Sequence, residues 1–521
     1  MQVAIIDGYT DEPSGLGVPP FLGTYPRYVF GSLVANKNVK KIYYLTVDDL
    51  RLFLKYNSKK IDFKKQTITD ISVYNLTLNY NNVLNILTRS DVIIFILGSL
   101  TPGKYLSAKV MTVKELKDIL NNEKFLFKGK KILFGPIAFG FGSSNIGGRV
   151  IRDINLDKYV DLVVNKEDYI FFSRFTINDI NKNCSFTQTP YEKLRKFAIL
   201  GSSIVDQIDR EIIVELELYR GCTKRIPCSF CVEKLKSKIE FREPIDVIDE
   251  VREFVKKGIK HFRIGKQTCF YDYFYGDITK IEQLLREIRK FGIKTLHIDN
   301  VNPNNVIKDS GEEITKLIVR YCTSGNTASF GVESLDPLVI EKNNLSMSKE
   351  KLLKAIRIIN RYGREIGENG LPKFLPGLNF LFGLIGETKR SFDYVKEFLE
   401  KLLEEDLWIR RVNVREVVVF KNTLLEKLAG NKYLRKNKKY YYKWRRWIRE
   451  KFDNVMLKRI APVGRILKDC YAEIYKGNTT FLRQFGSYPL VIGVKRRLEL
   501  RKYYDVKVKA HMLRSLVADL I

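Results

Sequence analysis

Apolar residues recur along the first 195 positions in short runs that alternate with segments of helical periodicity. The runs are QVAIID, KIYYLTV, DVIIFILG, KKILFGPIAFG and YVDLVVNK. Such alternation is typical of a mostly parallel sheet flanked by helices. The pattern therefore predicts a doubly wound α/β domain over residues 1–195.

A second alternating series begins near Glu211. Its strand candidates are IIVELEL, GIKHFRIG, IKTLHIDN, ASFGVESL, GLNFLFGLIG and VNVREVVVF. Helical patterns such as PIDVIDEVREFVKKG and MSKEKLLKAIRIINRYG separate them. Successive β–α units of this kind form open or closed α/β barrels. We predict a partial or full (βα) barrel over residues 205–430.

The pattern changes again after residue 430. Residues 431–460 include the run YLRKNKKYYYKWRRWIREKF, which predicts a basic helical linker. Residues 461–521 contain short apolar segments broken by turn residues, as in RILKDCYAEIYKGN and PLVIGV. This spacing predicts a small C-terminal β-barrel.

Composition narrows the class of protein. The chain has 521 residues and seven cysteines, too few and too irregularly spaced for a disulfide framework, which favours thiolate chemistry in a reducing compartment. Its apolar runs are well short of the roughly 20 residues needed to span a bilayer, so we predict a soluble cytoplasmic protein without a membrane partner.

Charge is concentrated at one end of the chain. The formal net charge is +31, and residues 431–521 hold 24 Lys/Arg against 7 Asp/Glu. A large total charge alone does not establish a nucleic-acid partner, because heat-adapted proteins also have many charged surface residues. Its concentration beside interleaved aromatic residues is more informative, since lysine and arginine neutralise phosphates and aromatic rings stack on unpaired bases.

Three cysteines lie within ten positions in the stretch RGCTKRIPCSFCVEK, with no fourth nearby. They are Cys222, Cys228 and Cys231, and the nearest histidine is His261. A structural zinc site wants four ligands, so zinc is disfavoured. An iron–sulfur cubane with three protein ligands keeps one iron for a substrate to chelate. The loop follows the first strand of the barrel series, where α/β barrels carry their chemistry.

This cysteine loop resembles that of the radical S-adenosylmethionine (SAM) superfamily. The resemblance implies that Cys222, Cys228 and Cys231 hold a [4Fe-4S] cluster and that SAM binds the fourth iron. It also implies an electron donor such as a ferredoxin or flavodoxin. The spacing here is C-x5-C-x2-C, whereas the commonest family spacing is C-x3-C-x2-C, so the first part of the loop is two residues longer.

The same resemblance implies further SAM contacts at the ends of later strands. Gly265 and Gln267 stand where the family has a turn that contacts the amino group of SAM, and Glu333 with Ser334 stand in its ribose-contacting segment. Gly383 and Gly386 resemble the glycines that let the backbone approach adenine. An amide at Gln267 replaces the usual acid and can still accept from an ammonium group.

The N-terminal region resembles the Rossmann-like cobalamin-binding domain that precedes many radical SAM enzymes. The segment Asp161 to Glu167 has the same spacing as the relatives' D-x-V-V-x-G-E segment, with Lys166 in place of its glycine. Residues 1–195 contain no histidine, which excludes histidine ligation of cobalt from this domain but leaves cobalamin open. The long loop after the first strand could instead pack between domains; its candidate cobalamin or substrate residues are Asp7, Gly15 and Gly17.

The C-terminal segment resembles a TRAM-type barrel, a module associated with RNA binding in modification enzymes. The resemblance implies RNA as a partner, with Trp444, Arg445, Arg446 and Trp447 as candidate contacts. A solvated basic helix beside a barrel that only closes the active site is the structural alternative.

Together these features predict a radical SAM enzyme, associated with cobalamin, that modifies and preferably methylates an unactivated carbon of a macromolecule, with RNA favoured. One alternative is a methylthiotransferase-like RNA-modifying enzyme without cobalamin. Its relatives hold a second cluster on three N-terminal cysteines, and here the first cysteine is Cys184. The other alternative is a non-catalytic RNA-binding protein with a structural metal.

Overall fold

A computed structural model describes residues 1–12, 15–57, 75–98, 108–141, 156, 158–181 and 184–521. The chain forms two compact units. The first comprises the described residues up to Glu217 together with Ile245–Ile259, and the second comprises Leu218–Pro244 and Lys260–Ile521.

The strands and helices from the N-terminus to Leu216 alternate along the chain. They are β1 Gln2–Asp7, β2 Asp11–Glu12, β3 Gly15–Leu16, β4 Phe21–Leu22, α1 Thr24–Ala35, β5 Lys41–Thr46, α2 Val47–Tyr56, α3 Val83–Arg89, β6 Val92–Ile96, α4 Val113–Leu120, β7 Lys130–Phe134, β8 Leu162–Val163, α5 Tyr169–Phe172, α6 Tyr191–Leu200 and β9 Ile213–Leu216.

A parallel sheet organises the first unit, with strand order β5-β1-β6-β7-β8. If only the five strands of this sheet are counted in chain order, the arrangement is 2-1-3-4-5. This order is typical of one class of doubly wound folds, in which ligands bind at the carboxyl ends of the strands. The central strands are continuous apolar runs because both faces are buried; Val92–Ile96 is buried at every position. The predicted doubly wound fold is confirmed.

The next elements continue the alternation through Glu416. They are β10 Tyr219–Arg220, α7 Glu233–Lys236, β11 Glu240–Phe241, α8 Pro244–Lys256, β12 His261–Ile264, α9 Ile278–Arg289, β13 Thr295–Ile298, β14 Asn300–Val301, α10 Pro303–Val306, α11 Asp309–Tyr321, β15 Asn326–Glu333, α12 Pro337–Lys342, α13 Lys349–Gly363, β16 Phe374–Phe382, α14 Lys389–Glu404 and β17 Arg411–Glu416.

Parallel pairing in the second unit joins β12 to β13 and arranges β14, β15, β16 and β17 side by side. Helices such as α11, α13 and α14 connect successive strands, as the predicted β–α units require. The carboxyl ends of these strands therefore lie at one edge, and each is followed by a loop that can carry functional residues.

The chain ends in helices and a closed barrel. These elements are α15 Leu424–Leu428, α16 Lys432–Trp447, a π-helical segment Ile448–Asp453, α17 Asn454–Ile460, β18 Ile466–Lys476, β19 Thr479–Gln484, β20 Val491–Val494, β21 Tyr503–His511 and β22 Ser515–Leu520. The five strands close in the order β18-β19-β20-β22-β21 around a core that includes Leu467, Cys470 and Ile492. The predicted small C-terminal β-barrel is confirmed.

In the part of the chain that the structure describes, no helix is both long and apolar enough to cross a membrane.

Candidate active site

The cysteine loop leaves β10 through a glycine that the backbone requires. Gly221 has φ +82°, and a Cβ atom there would lie 2.7 Å from the carbonyl oxygen of Lys238. Both the left-handed conformation and the close approach exclude a larger side chain. Arg220, directly before it, pairs with Glu240 of β11 at 3.0 Å. The start of the loop is thus fixed by backbone geometry and an ion pair.

Cys222, Cys228 and Cys231 are each half-buried on this loop. A turn in which Cys231 N donates to Cys228 O (3.1 Å) sets the spacing of the last two. Burial raises the pKa of Cys222 and of Cys231, and repulsion from Glu233 and Cys228 raises both further. The loop therefore brings the three thiols into one electrostatic neighbourhood. Among the described residues, no group of three or more His, Cys, Asp or Glu side chains is arranged to hold a metal ion.

Lys224 lies between the first two cysteines, in the part of the loop that is longer than the commonest family spacing. Its ammonium group donates to Cys228 Sγ (3.1 Å) and to Asn344 O (3.0 Å). Ser229 fixes the other side of the loop, because its hydroxyl donates to Asn343 Oδ1 at 2.6 Å. The longer loop is thus anchored to the segment that follows α12.

The turn after β12 presents an unsatisfied acceptor. Asn300 donates to the carbonyl oxygens of Gly265 (3.2 Å) and Gln267 (2.9 Å), which fixes the turn. Gln267 Nε2 donates to Ile264 O at 2.9 Å, while Gln267 Oε1 is buried without a hydrogen-bond partner in the described structure. Leaving a buried acceptor unpaired is costly, so this oxygen is suited to a donor on a ligand.

Glu333 ends β15 in a left-handed conformation, with φ +65° after a register shift in the strand. Loss of hydration raises the pKa of its carboxyl group to about 8, although the fields of Arg415 and Lys224 lower it. Ser334 has a local role instead, because its hydroxyl accepts from Asp336 N (3.2 Å) before α12. Of these two neighbours, Glu333 is the one whose carboxylate would gain from a ligand's hydroxyl donors.

The two glycines after β16 have different surroundings. Gly383 has φ +100°, and a Cβ atom there would lie 2.4 Å from Leu434 of α16, so packing and conformation already explain its glycine. Gly386 has φ +88° and faces Lys342. Glu387 closes the turn by accepting from Gly383 N at 2.9 Å. The adenine contact of Gly383 and Gly386 stays a prediction.

Comparison with known proteins agrees with this geometry. The family model "Radical SAM superfamily" matches residues 216–406. An uncharacterized protein of Methanocaldococcus jannaschii is 38% identical over 546 residues, covering 100% of this chain and 93% of its own. One of Archaeoglobus fulgidus is 36% identical over 532 residues, covering 99% and 90%. Residues 216–406 thus form a radical SAM domain. The chain is therefore an enzyme of the radical SAM class, which sets aside the non-catalytic alternative.

Two further likenesses are more partial. The radical SAM chain is 26% identical over 191 residues to the ribosomal protein uS12 methylthiotransferase RimO of a Thermoanaerobacter species, covering 36% of this chain and 40% of that protein. Among solved structures, the radical SAM methyltransferase TsrM of Kitasatospora setae matches 81% of this chain and 76% of its own, with 13% identity and a TM-score of 0.49.

The donor set fits the cofactors of the superfamily, a [4Fe-4S] cluster and SAM. Cys222, Cys228 and Cys231 supply three thiols on one loop, and in a cubane each would bind a different iron, so the three sulfurs need not converge on a single ion. Iron binding would hold them as thiolates despite the raised pKa of Cys222 and Cys231. Gln267 Oε1 after β12 and the Glu333 carboxylate at the end of β15 supply acceptors. When bound, the cluster delivers the electron that splits SAM into methionine and a 5′-deoxyadenosyl radical.

The candidate residues at the end of β1 and in the loop after it make contacts within the first unit. Asp7 is buried and accepts from Tyr9 N and from the Tyr44 hydroxyl, both at 2.8 Å. Gly17 N donates to Thr10 O at 2.7 Å, and Gly15 belongs to the short hairpin of β2 and β3. Asp7 therefore has a structural explanation, and the cobalamin or substrate role of Gly15 and Gly17 stays a prediction.

The four candidate RNA contacts on α16 differ in their exposure to solvent. Trp444 is buried and packs against Phe392, with ring centroids 5.1 Å apart, so its ring face is not available to a base and the predicted stacking role needs correction. Trp447 and Arg445 are half-buried, and Arg446 is exposed. The sequence spacing of the tryptophans does not show which one faces the core.

Several residues at the site were not singled out from the sequence. Lys224 was detectable only as part of the lengthened loop, and Asn300 only as a polar residue after a strand. Tyr488 reaches the β-strand ends from the loop after β19, where its hydroxyl donates to Asp299 Oδ1 at 2.7 Å. A contact separated by so many residues carries no local sequence signal.

Proposed function

We propose that this radical SAM enzyme methylates an unactivated carbon of RNA. In this proposal the N-terminal α/β domain binds cobalamin, and α16 and the TRAM-like barrel bind the RNA. The observation that carries the RNA assignment is the solvent face of α16. Half of that helix is lysine or arginine, and it contains no acidic residue.

The two faces of α16 differ in chemistry. Its buried face consists of Leu434, Asn437, Tyr441 and Trp444, spaced three and four residues apart. Its exposed basic residues are Lys432, Arg435, Lys436, Lys438, Lys439, Lys443 and Arg446. Tyr442 is 49% exposed beside them. A row of cations with exposed aromatic surface suits an RNA backbone and its unpaired bases.

The cobalamin assignment has separate support. The 2-1-3-4-5 parallel sheet presents loops at its carboxyl edge, where doubly wound folds bind ligands. The segment Asp161 to Glu167, which resembles that of cobalamin-binding relatives, includes β8 and ends at this edge. Glu167, after β8, accepts from the Tyr25 hydroxyl at 3.2 Å, whereas Asp161 pairs with Lys130 at the amino ends of β7 and β8.

The residues of the second unit would divide the work on bound SAM. The three thiolates fix the cluster, Gln267 Oε1 accepts from the amino group of SAM, and Glu333 accepts from its ribose hydroxyls. The protein thereby orients SAM and excludes water, while the radical chemistry belongs to the cofactors. No acid or base residue is required for the hydrogen abstraction.

Anaerobic purification tests the cofactor part of this proposal. We expect four irons per chain together with the absorbance of a corrin. Iron without corrin, even after reconstitution with cobalamin, would contradict the cobalamin assignment and favour the methylthiotransferase alternative.

Charge reversal on α16 tests the RNA part. Lys439→Glu with Lys443→Glu should weaken binding of a structured RNA about tenfold or more at low salt, because fewer counterions are released from the phosphates. Lys351→Glu with Lys354→Glu makes the same charge change on exposed positions of α13 and should leave affinity nearly unchanged. Equal losses in both variants would indicate nonspecific attraction, and no loss in either would exclude α16 as the RNA-binding surface.

A further inference from the structure

A polar face runs along the sheet of the second unit. On β17, Arg411, Asn413 and Arg415 alternate with apolar residues, so their side chains share one side of the strand. All three are half-buried, as is Asn379, the register partner of Asn413 on β16. Val412, between them, is buried. The partly accessible side of this sheet is therefore polar and basic.

The side chains on this face hold one another in place. In the amide orientation that matches its neighbours, the Asn413 oxygen accepts from Arg415 Nε (2.7 Å) and Arg411 Nη2 (3.2 Å). The amides of Asn379 and Asn413 lie 3.2 Å apart. The Arg411 guanidinium carbon lies 3.6 Å from the centre of the Tyr488 ring. These contacts pre-organise the guanidinium groups of Arg411 and Arg415.

Arg410 adds a third guanidinium with an unsatisfied donor. Its Nη2 donates to the carbonyl oxygen of Tyr488, but its Nε is buried without a hydrogen-bond partner among the described residues. A buried charged donor without an acceptor is costly, and an oxyanion would remove that cost.

The local charge balance is positive. Burial, followed by repulsion from neighbouring arginines that include Arg514, lowers the pKa of both Arg410 and Arg411 to about 10. The carboxylate that counteracts this effect on both is Asp453, and burial raises its own pKa to about 6. The cluster therefore favours a negatively charged ligand.

The arginines lead toward the SAM site. The field of Arg415 acts on Glu333, the residue proposed to bind the ribose of SAM. Arg411 precedes Arg415 by four residues on β17, so their Cα atoms lie roughly 13 Å apart at the usual rise per residue of a strand. A ligand group held by these arginines would place adjoining atoms within reach of SAM.

We propose that Arg410, Arg411 and Arg415 bind a phosphate group of the substrate and thereby position the carbon to be modified beside SAM. Guanidinium groups bind phosphate oxygens in pairs, and an RNA backbone offers a phosphate at every nucleotide. This inference rests on the proposed RNA function. An acidic peptide is the competing ligand, because its carboxylates present a similar pair of oxygens.

Chemical protection tests the site without relying on activity. The full-length holoenzyme is treated with the arginine reagent phenylglyoxal, alone or with inorganic phosphate, a short single-stranded RNA, or an acidic peptide of equal charge at matched ionic strength. Mass spectrometry then follows Arg411 and Arg364. Arg364 is a matched control, because it stacks 4.3 Å from the Trp408 ring and pairs with Asp406. Phosphate and RNA at saturating concentration should slow modification of Arg411 about tenfold and leave Arg364 unchanged.

A second measurement covers the case in which Arg411 reacts too slowly to follow. RNA affinity should fall about tenfold or more in Arg411→Gln and by less than about twofold in Arg364→Gln, as expected for loss of a charged hydrogen-bond donor. Normal RNA affinity in Arg411→Gln would overturn the phosphate site, as would equal protection by the acidic peptide. Protection by phosphate combined with no RNA binding would instead overturn the RNA function and leave a phosphate site for a smaller substrate.

Discussion

The loop after β1 and the strand ends of the second unit both collect polar side chains, but they use them differently. In the first unit, Asp7 accepts from Tyr44, and Tyr9 donates to Asp48 at 2.8 Å, while Arg51 pairs with Asp48 at the same distance. These groups satisfy one another inside the fold. At the strand ends of the second unit, by contrast, hydrogen-bonding capacity is left over.

The leftover groups are the thiols of the cysteine loop, Gln267 Oε1 and the Glu333 carboxylate. Burying a polar group costs free energy unless the group gains a hydrogen-bonding or charged partner. A closed network therefore indicates a structural role, and unsatisfied groups at the carboxyl ends of several strands of one unit indicate a ligand.

The largest expected effect concerns the cysteines. Changing Cys222, Cys228 or Cys231 singly to Ala should abolish cluster assembly and SAM cleavage, because each would supply one iron ligand. Cys184→Ala and Cys470→Ala should retain both, measured by iron content and 5′-deoxyadenosine formation. Equal loss in all five variants would mean that the loop does not hold the cluster.

The tryptophans of α16 separate packing from surface function. Trp444→Ala should lower the free energy of unfolding by about 3–5 kcal/mol, because a buried ring is removed. Trp447→Ala should cost much less stability and instead weaken RNA binding by about 1–3 kcal/mol if its ring stacks on a base. Denaturant unfolding and RNA titration at high salt measure the two effects. Similar destabilisation by both changes would contradict the assigned faces.

The sequence predicted the fold better than the site. Every strand candidate of the second series lies at an observed strand, because parallel strands covered by helices read as apolar runs. The cysteine loop was equally visible, since its three ligands are close in sequence. The roles of Trp444 and Asp7 were not predictable, because burial of a tryptophan or an aspartate depends on which residues pack against it. Likewise, the contact of Arg411 with Tyr488 joins β17 to the terminal barrel.

The pH dependence of stability tests whether Asp7 has the structural role assigned to the polar groups of the first unit. Burial raises its pKa from 3.8 to about 6, although hydrogen bonds from Tyr44 and Tyr9 lower it. The folded protein thus holds a proton that the unfolded chain releases, so stability should fall as pH rises from about 4 to 6, by about 3 kcal/mol. Asp7→Asn removes this ionisation and should lose less stability over the same interval.

Urea unfolding of the wild type and Asp7→Asn at pH 4.5 and 7.5 measures the difference. Asp118→Asn, an exposed position on α4, controls for the change of charge and should follow the wild type. Parallel pH profiles for Asp7→Asn and the wild type would show that Asp7 is not the buried acid described above.

The smallest expected effect concerns Glu333, on the ligand-binding side of the comparison. Without SAM, burial holds its pKa near 8, against the opposing fields of Lys224 from the cysteine loop and Arg415 from β17. Only the carboxylate accepts from two ribose hydroxyls, so SAM affinity should fall as pH drops below about 8. Glu333→Gln should weaken binding by about 1–3 kcal/mol at pH 8.5 and flatten this pH dependence. Equilibrium dialysis of SAM against cluster-loaded protein measures both, with Glu341→Gln as an exposed control. An unchanged affinity with an unchanged pH profile would place the ribose elsewhere and leave Glu333 with a structural role like that of Asp7.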